Sequence, residues 1–244
     1  MLENLPDNYR AVVFGASGGI GAAMTQALTA DPRCGEVWAG SRSGTGAQGK
    51  RRNVRFDLQD EDSIAAAAGL IGEGGPVHLV LVTTGLLHTG HFGPERSWRD
   101  LDAAAMAQIL AINTIGPALI AKHFLELVPR DAPAIFAVLS ARVGSIGDNR
   151  LGGWHSYRAS KAALNMLIRN FAIELKMKRK LAICAGLHPG TVDTKLSEPF
   201  QRGVPETKLF SPDHAAQQLL GVLNALTPAD SGQVYAWDGQ RIEW

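Results

Sequence analysis

The sequence predicts an α/β fold, a single doubly wound parallel sheet of about seven strands with helices on both faces. Three observations carry this expectation. Short continuous apolar runs, at 10–14, 77–82 and 134–139, suit strands buried on both faces. Helical patterns alternate with them, and a βαβα alternation belongs to a parallel sheet. The 244 residues contain no repeat, low-complexity tract or linker, so residues 1–244 read as one domain with a sizeable core.

Residues 10–14 form the first strand. It runs into Gly15-Ala16-Ser17-Gly18-Gly19-Ile20-Gly21 and then a helix over 22–30. Strand, glycine turn and helix open a Rossmann-type, dinucleotide-binding unit. The glycines let the backbone turn sharply and approach a pyrophosphate, and the helix N-terminus offers free N–H groups at its positive end. The spacing Gly-x-x-x-Gly-x-Gly departs from Gly-x-Gly-x-x-Gly, and a purely structural turn is the rival reading. Residues 36–39 are the second strand and lead to Gly40-Ser41-Arg42-Ser43. An acid here would take ribose hydroxyls, whereas an arginine accommodates a 2′-phosphate, so Arg42 favours NADP(H) over NAD(H).

Val54-Arg55-Phe56 reads as the third strand, followed by Asp57-Leu58 and a helix over 60–71 with acids in its first turn. The strand at 77–82 ends at Thr83-Thr84-Gly85. The loop 86–96 holds His88 and His91 without the further ligands of a metal site, and no metal is expected. Residues 98–128 are helical, with a break or kink at Gly116-Pro117, and Asn113 is a polar residue among Leu110, Ile112 and Ile115. The strand at 134–139 delivers the chain to Ser140. Tyr157, Lys161, Leu164, Ile168, Phe171 and Leu175 then trace one face of a long helix. A strand at 181–187 leads to His188-Pro189-Gly190-Thr191-Val192-Asp193-Thr194, a loop at the carboxyl edge of the sheet, where ligands sit in such folds. Residues 199–208 suit a mobile lid. Ser211 caps a helix begun by Pro212, and a last strand at 232–237 precedes a turn at Asp238-Gly239.

The net charge of +1 gives no reason to expect a nucleic-acid or membrane partner. Cys34 and Cys184 lack metal spacing and suit the reduced thiols of a cytoplasmic protein. Glu3, Asp7 and Arg10 argue against a secretory signal. The uncharged runs 75–94 and 103–121 are interrupted by histidines, glycines, Gln108, Asn113 and Gly116-Pro117, so neither is expected to span a bilayer.

Tyr157 and Lys161, four apart on a helix, share a face about one turn apart. An adjacent ammonium favours the phenolate and moves a tyrosine pKa from about 10 toward neutrality, which makes a proton donor for a carbonyl oxygen. An exposed pair at ordinary helical spacing is the alternative.

In this order the motifs resemble the classical short-chain dehydrogenase/reductases, over nearly the whole chain. Gly144-Ser145-Ile146, Gly152-Gly153-Trp154 and residues 232–244 look closest to C-factor and sniffer-like carbonyl reductases. The resemblance implies that the cofactor is held by Gly15, Ser17, Gly19, Ile20, Gly21, Ser41, Arg42, Asp57, Leu58, Gly85, Pro189, Gly190, Val192 and Thr194, together with Tyr157 and Lys161. Tyr157 would be the general acid/base, Lys161 would lower its pKa and hold the nicotinamide ribose, and Asn113 would fix a water beside Lys161. The implied activity is hydride transfer between NAD(P)H and a small-molecule carbonyl or alcohol. A nucleotide-binding signalling protein with weak turnover is the alternative. Apolar helices around 103–128 and 157–175 leave room for a homo-oligomer.

Three departures from the family pattern stand out. The family's Asn-Asn-Ala-Gly appears as Val82-Thr83-Thr84-Gly85, and Gly18 stands where NADP-preferring members often carry a basic residue. Ala141 occupies the position of the catalytic serine when the chain is aligned on Gly144, which leaves Ser140 as the candidate and Ser145 as its competitor.

Overall fold

The computed structural model describes residues 2–44 and 46–244. Its strands are β1 (Tyr9–Phe14), β2 (Cys34–Ser41), β3 (Ala47–Gln48), β4 (Arg51–Arg55), β5 (Leu79–Val82), β6 (Ala134–Leu139), β7 (Ala182–His188), β8 (Thr191–Val192), β9 (Leu209–Phe210), β10 (Gln233–Ala236) and β11 (Arg241–Ile242). Nine of them form one sheet in the order β11-β10-β7-β6-β5-β1-β2-β4-β3. The seven inner strands are parallel, as expected. The two-residue strands β3 and β11 add an antiparallel partner at each edge and raise the count to nine.

The period-two alternation of β1 shows how the sheet is buried. Ala11 and Val13 face one core, which includes Met24 and Leu28 of α1 (Gly19–Ala30) and Leu219 and Leu223 of α6 (Pro212–Ala225). Val12 and Phe14 face the other, with Ile64 and Ile71 of α2 (Glu61–Gly72) and Leu164 and Ile168 of α5 (His155–Lys178). Phe14 meets Phe56 and Phe124 edge-on, with centroids 4.7 and 4.8 Å away. The helix starts at Asp60 and Ser211 are N-capped by those side chains.

Two elements differ from expectation. The third parallel strand begins at Arg51 rather than near Val54. Arg51, Arg52 and Asn53 are polar, yet they pair with Val37, Trp38 and Ala39 of β2. A strand next to the sheet edge keeps solvated side chains, so its composition conceals it.

Of the break or kink expected at Gly116-Pro117, the break into two helices is absent. α3 (Ala103–Leu110), a π turn (Ala111–Ile115) and α4 (Gly116–Phe124) run on as one helix. Pro117 sits in the first turn of α4, directly after the π turn, where a missing N–H is tolerated. Uninterrupted, this helix is long and apolar enough to cross a membrane by length and composition alone, contrary to the sequence expectation. Only 33% of its most apolar window is buried. Ile120, Ala121 and Phe124 pack into the core beside α2 and α5.

The strand order places β1 between β2 and β5, so successive connections leave it in opposite directions. A crevice opens at the carboxyl ends of the strands at such a switch point.

Candidate active site

The crevice is a cleft of about 950 Å³ lined from end to end by the elements that leave the sheet. Its floor is the turn between β1 and α1. Gly15 has φ +89°, a conformation open to glycine at no steric cost, and a side chain at Gly21 would run into the Gly15 carbonyl. α1 begins at Gly19 with no side-chain cap, so its first N–H groups face the cleft floor. Ser41 and Arg42 at the end of β2, then Asp57 and Leu58 after β4, line one end, and Gly85, Pro189 and Thr194 line the other. A nicotinamide dinucleotide fits this donor set. The glycine cradle would take phosphate and the Arg42 end further negative charge, and Thr84 Oγ1 is buried in the wall without a hydrogen-bond partner among the described residues.

Tyr157 and Lys161 stand together in the cleft wall, on the first two turns of α5, 8% and 3% exposed. Lys161 Nζ donates to the Leu139 carbonyl at 2.8 Å and lies 5.7 Å from the Tyr157 ring centroid. The Tyr157 hydroxyl makes no hydrogen bond among the described residues. Burial pushes the phenol up to about 12 and the ammonium down to about 8. The sequence expectation of a phenol lowered by its neighbour is therefore corrected for this state. Desolvation is the cause for both groups, since each is buried in the cleft wall, and the ammonium donates to a carbonyl rather than to the phenol.

Asn113 is fully buried in the π turn and lies behind the cleft wall. Its amide clamps the backbone of the β5 loop, accepting from Leu86 N and donating to Leu86 O, each at 2.8 Å. It also donates to Ser160 Oγ at 3.0 Å, and Ser160 donates to the Tyr157 carbonyl at 2.8 Å. The amide thus ties the β5 loop to the helix that carries Tyr157.

Ser140 lines the cleft, but its hydroxyl donates to Asn165 Oδ1 at 2.6 Å rather than to Tyr157. Ser145 accepts from Asp148 N at 3.0 Å and likewise makes no hydrogen bond to Tyr157. Side chains alternate at the strand end, so Ala141 is the residue packed beside Tyr157, together with Leu87. Val143, Trp154, Leu196 and Phe200 complete this apolar wall. Phe200 lies in the stretch expected to be a lid, whose ends are tied by β8 pairing with β9.

Of the predicted cofactor residues, Gly190 and Val192 stand outside the cleft lining. Gly190 turns at φ +75° against Phe210, and Val192 is buried in the β8–β9 ribbon. Sequence reasoning missed Thr84, Gln59 and Gln108 as lining residues. The position of Thr84 at the carboxyl end of a central strand was the available signal.

A model of the short chain dehydrogenase family matches residues 9–204. Among curated proteins, 1-hydroxy-2-glutathionyl-2-methyl-3-butene dehydrogenase of Rhodococcus sp. (strain AD45) is 32% identical over 189 residues, 77% of this chain and 78% of that protein. The C-signal protein of Myxococcus xanthus is 33% identical over 145 residues, 59% of this chain and 82% of its own. Among solved structures, NADPH-bound carbonyl reductase from chicken fatty liver superposes with a TM-score of 0.85 at 27% identity, covering 98% of this chain and 100% of that one. The expected kinship with the C-factor and carbonyl-reductase branch is found.

Proposed function

Because the chain belongs to the short-chain dehydrogenase family, we propose that it is an NADP(H)-dependent oxidoreductase that interconverts a small-molecule carbonyl and its alcohol. The observation that carries the reading is Tyr157 beside Lys161 in the wall of the glycine-floored cleft. Bound nicotinamide dinucleotide supplies or accepts the hydride. Tyr157, protonated at neutral pH, gives its proton to the carbonyl oxygen during reduction, and as the phenolate accepts one during alcohol oxidation. Lys161 stays cationic below about 8, offsets the phenolate left behind, and has ammonium protons beyond its bond to Leu139 for the cofactor ribose. Asn113 holds the β5 loop and α5 in register. NADPH oxidation over a panel of aldehydes and ketones, with Tyr157→Phe alongside, tests the assignment.

Arg42 and the absence of an acid at the end of β2 support NADP(H) over NAD(H). Arg42→Ala is expected to raise the NADPH KM by about 10–100-fold, the range of a lost charged hydrogen bond, and to leave NADH unchanged. Equal KM values in variant and parent would remove the preference. Ser140→Ala is expected to keep kcat within about threefold while costing about 1–3 kcal/mol in urea unfolding, since Asn165 loses a buried donor. A large kcat loss would instead give Ser140 a part in the chemistry.

Ala141 beside Tyr157 motivates the second reading, a nucleotide-binding signalling protein with weak turnover. Tight NADPH binding without turnover on any carbonyl would favour it. The exposed Ile115 of the π turn and Met166 and Ile173 of α5 are compatible with a homo-oligomer, and the buried thiols Cys34 and Cys184, both pushed up by burial, suit the cytoplasm.

A further inference from the structure

We propose that Glu95 is a positioning residue for proton transfer, holding the first turn of α5 so that Tyr157 faces the cleft; this rests on the reading of Tyr157 as proton donor. The approach to α5 is unusual. Gly152, Gly153 and Trp154 have φ of 63°, 62° and 52°, three successive left-handed residues. Glycine adopts that region freely, but for a tryptophan it is strained and persists only where the surroundings enforce it. Trp154 is also the N-cap of α5 and supplies no side-chain cap to the helix.

The missing acceptor comes from the loop after β5. Both carboxylate oxygens of Glu95 accept from Ser156 N, each at 3.3 Å, and Ser156 Oγ donates to Oε1. The Glu95 backbone carbonyl accepts from Trp154 N at 2.6 Å. Both partners are buried, Glu95 at 6% and Ser156 at 0% exposure. A carboxylate out of water is tolerated at a helix N-terminus because free N–H groups and the dipole face it.

Glu95 therefore grips the residue immediately before Tyr157 through its side chain and Trp154 through its backbone. The Trp154 ring stands 6.2 Å from the Tyr157 ring and 5.2 Å from that of Phe200, so the same grip sets the apolar wall. Arg158 secures the turn from the other side, donating to the Gly152, Gly153 and Val143 carbonyls. Glu95 does not line the cleft and acts only through the residues it holds.

The test uses the full chain with Glu95→Ala, Glu95→Gln and Ser156→Ala, and Tyr157→Phe as control. Three quantities are read: kcat for NADPH-dependent carbonyl reduction, NADPH Kd, and amide hydrogen exchange over residues 154–160. Glu95→Ala is expected to lower kcat by about 10–100-fold, the scale of a small misplacement, with Kd within about twofold and faster exchange in that segment alone. Glu95→Gln keeps an acceptor oxygen and is expected to restore both kcat and exchange to near parent values, with Ser156→Ala intermediate. Unchanged kcat and exchange in Glu95→Ala overturns the proposal, as does a Gln variant as impaired as Ala, or a kcat loss matched by lost NADPH binding. Should the Ala variant not fold, Glu95→Gln and Ser156→Ala carry the comparison: loss of kcat in Ser156→Ala but not in Gln supports the proposal, and the reverse overturns it. Exchange is read without substrate, so it judges the grip of Glu95 even if Tyr157→Phe turns over normally, the outcome that would sink the proton-donor reading itself.

Discussion

Tyr157→Phe is expected to lower kcat for carbonyl reduction by about 10²–10⁴-fold, the usual share of a positioned general acid. The substitution removes one oxygen from a ring that is otherwise packed against Ala141, Leu87 and Trp154. No hydrogen bond to a described residue is lost with that oxygen, so unfolding stability should stay close to that of the parent. NADPH affinity should also hold, because the glycine turn, Arg42 and Lys161 remain. A steady-state assay paired with a cofactor titration separates these effects. A variant that retains parent kcat on every carbonyl tried would place the proton donor elsewhere.

Replacing Lys161 by Met should be nearly as damaging, about 10²–10³-fold in kcat, and should change the pH profile. In the folded protein the ammonium is pushed down to about 8 by burial, so it is charged below that pH and neutral above it. If the charge offsets the developing phenolate, kcat for reduction is flat through neutral pH and falls as pH rises through about 8. The Met variant loses this inflection along with most of its rate.

Stability runs the other way. Between about 8 and the unfolded lysine pKa of about 10.4, the unfolded chain binds more protons than the native one, so the parent gains stability as pH rises through that window. Below it the parent carries the full cost of a buried cation, from which Met is free. Lys161→Met should accordingly be less active and more resistant to denaturant at pH 7. A variant that is both less active and less stable would contradict burial as the dominant influence on Lys161.

Much of the fold was legible because its signals are local. The alternation in β1, the glycine turn at Gly15–Gly21 and the Ser211-Pro212 helix start each depend on neighbours a few residues away. The failures also have local causes. Arg51–Arg55 pairs in the sheet despite polar side chains, because a strand near the edge need not be apolar. The helix through Gly116-Pro117 continues because a π turn absorbs the position at which the proline lacks an N–H.

The sequence by itself determined the Rossmann-type sheet, the glycine turn between its first strand and helix, and the placing of Tyr157 one turn from Lys161, since periodicity and spacing act over a few bonds. Only the tertiary structure decided which way Ser140 points, that Ala141 is the neighbour of the phenol, and that burial moves Tyr157 up and Lys161 down. It alone brought Glu95 to Ser156, 61 residues along the chain. Side-chain direction at a strand end, desolvation and long-range hydrogen bonds arise only when distant segments pack, and no local pattern encodes them.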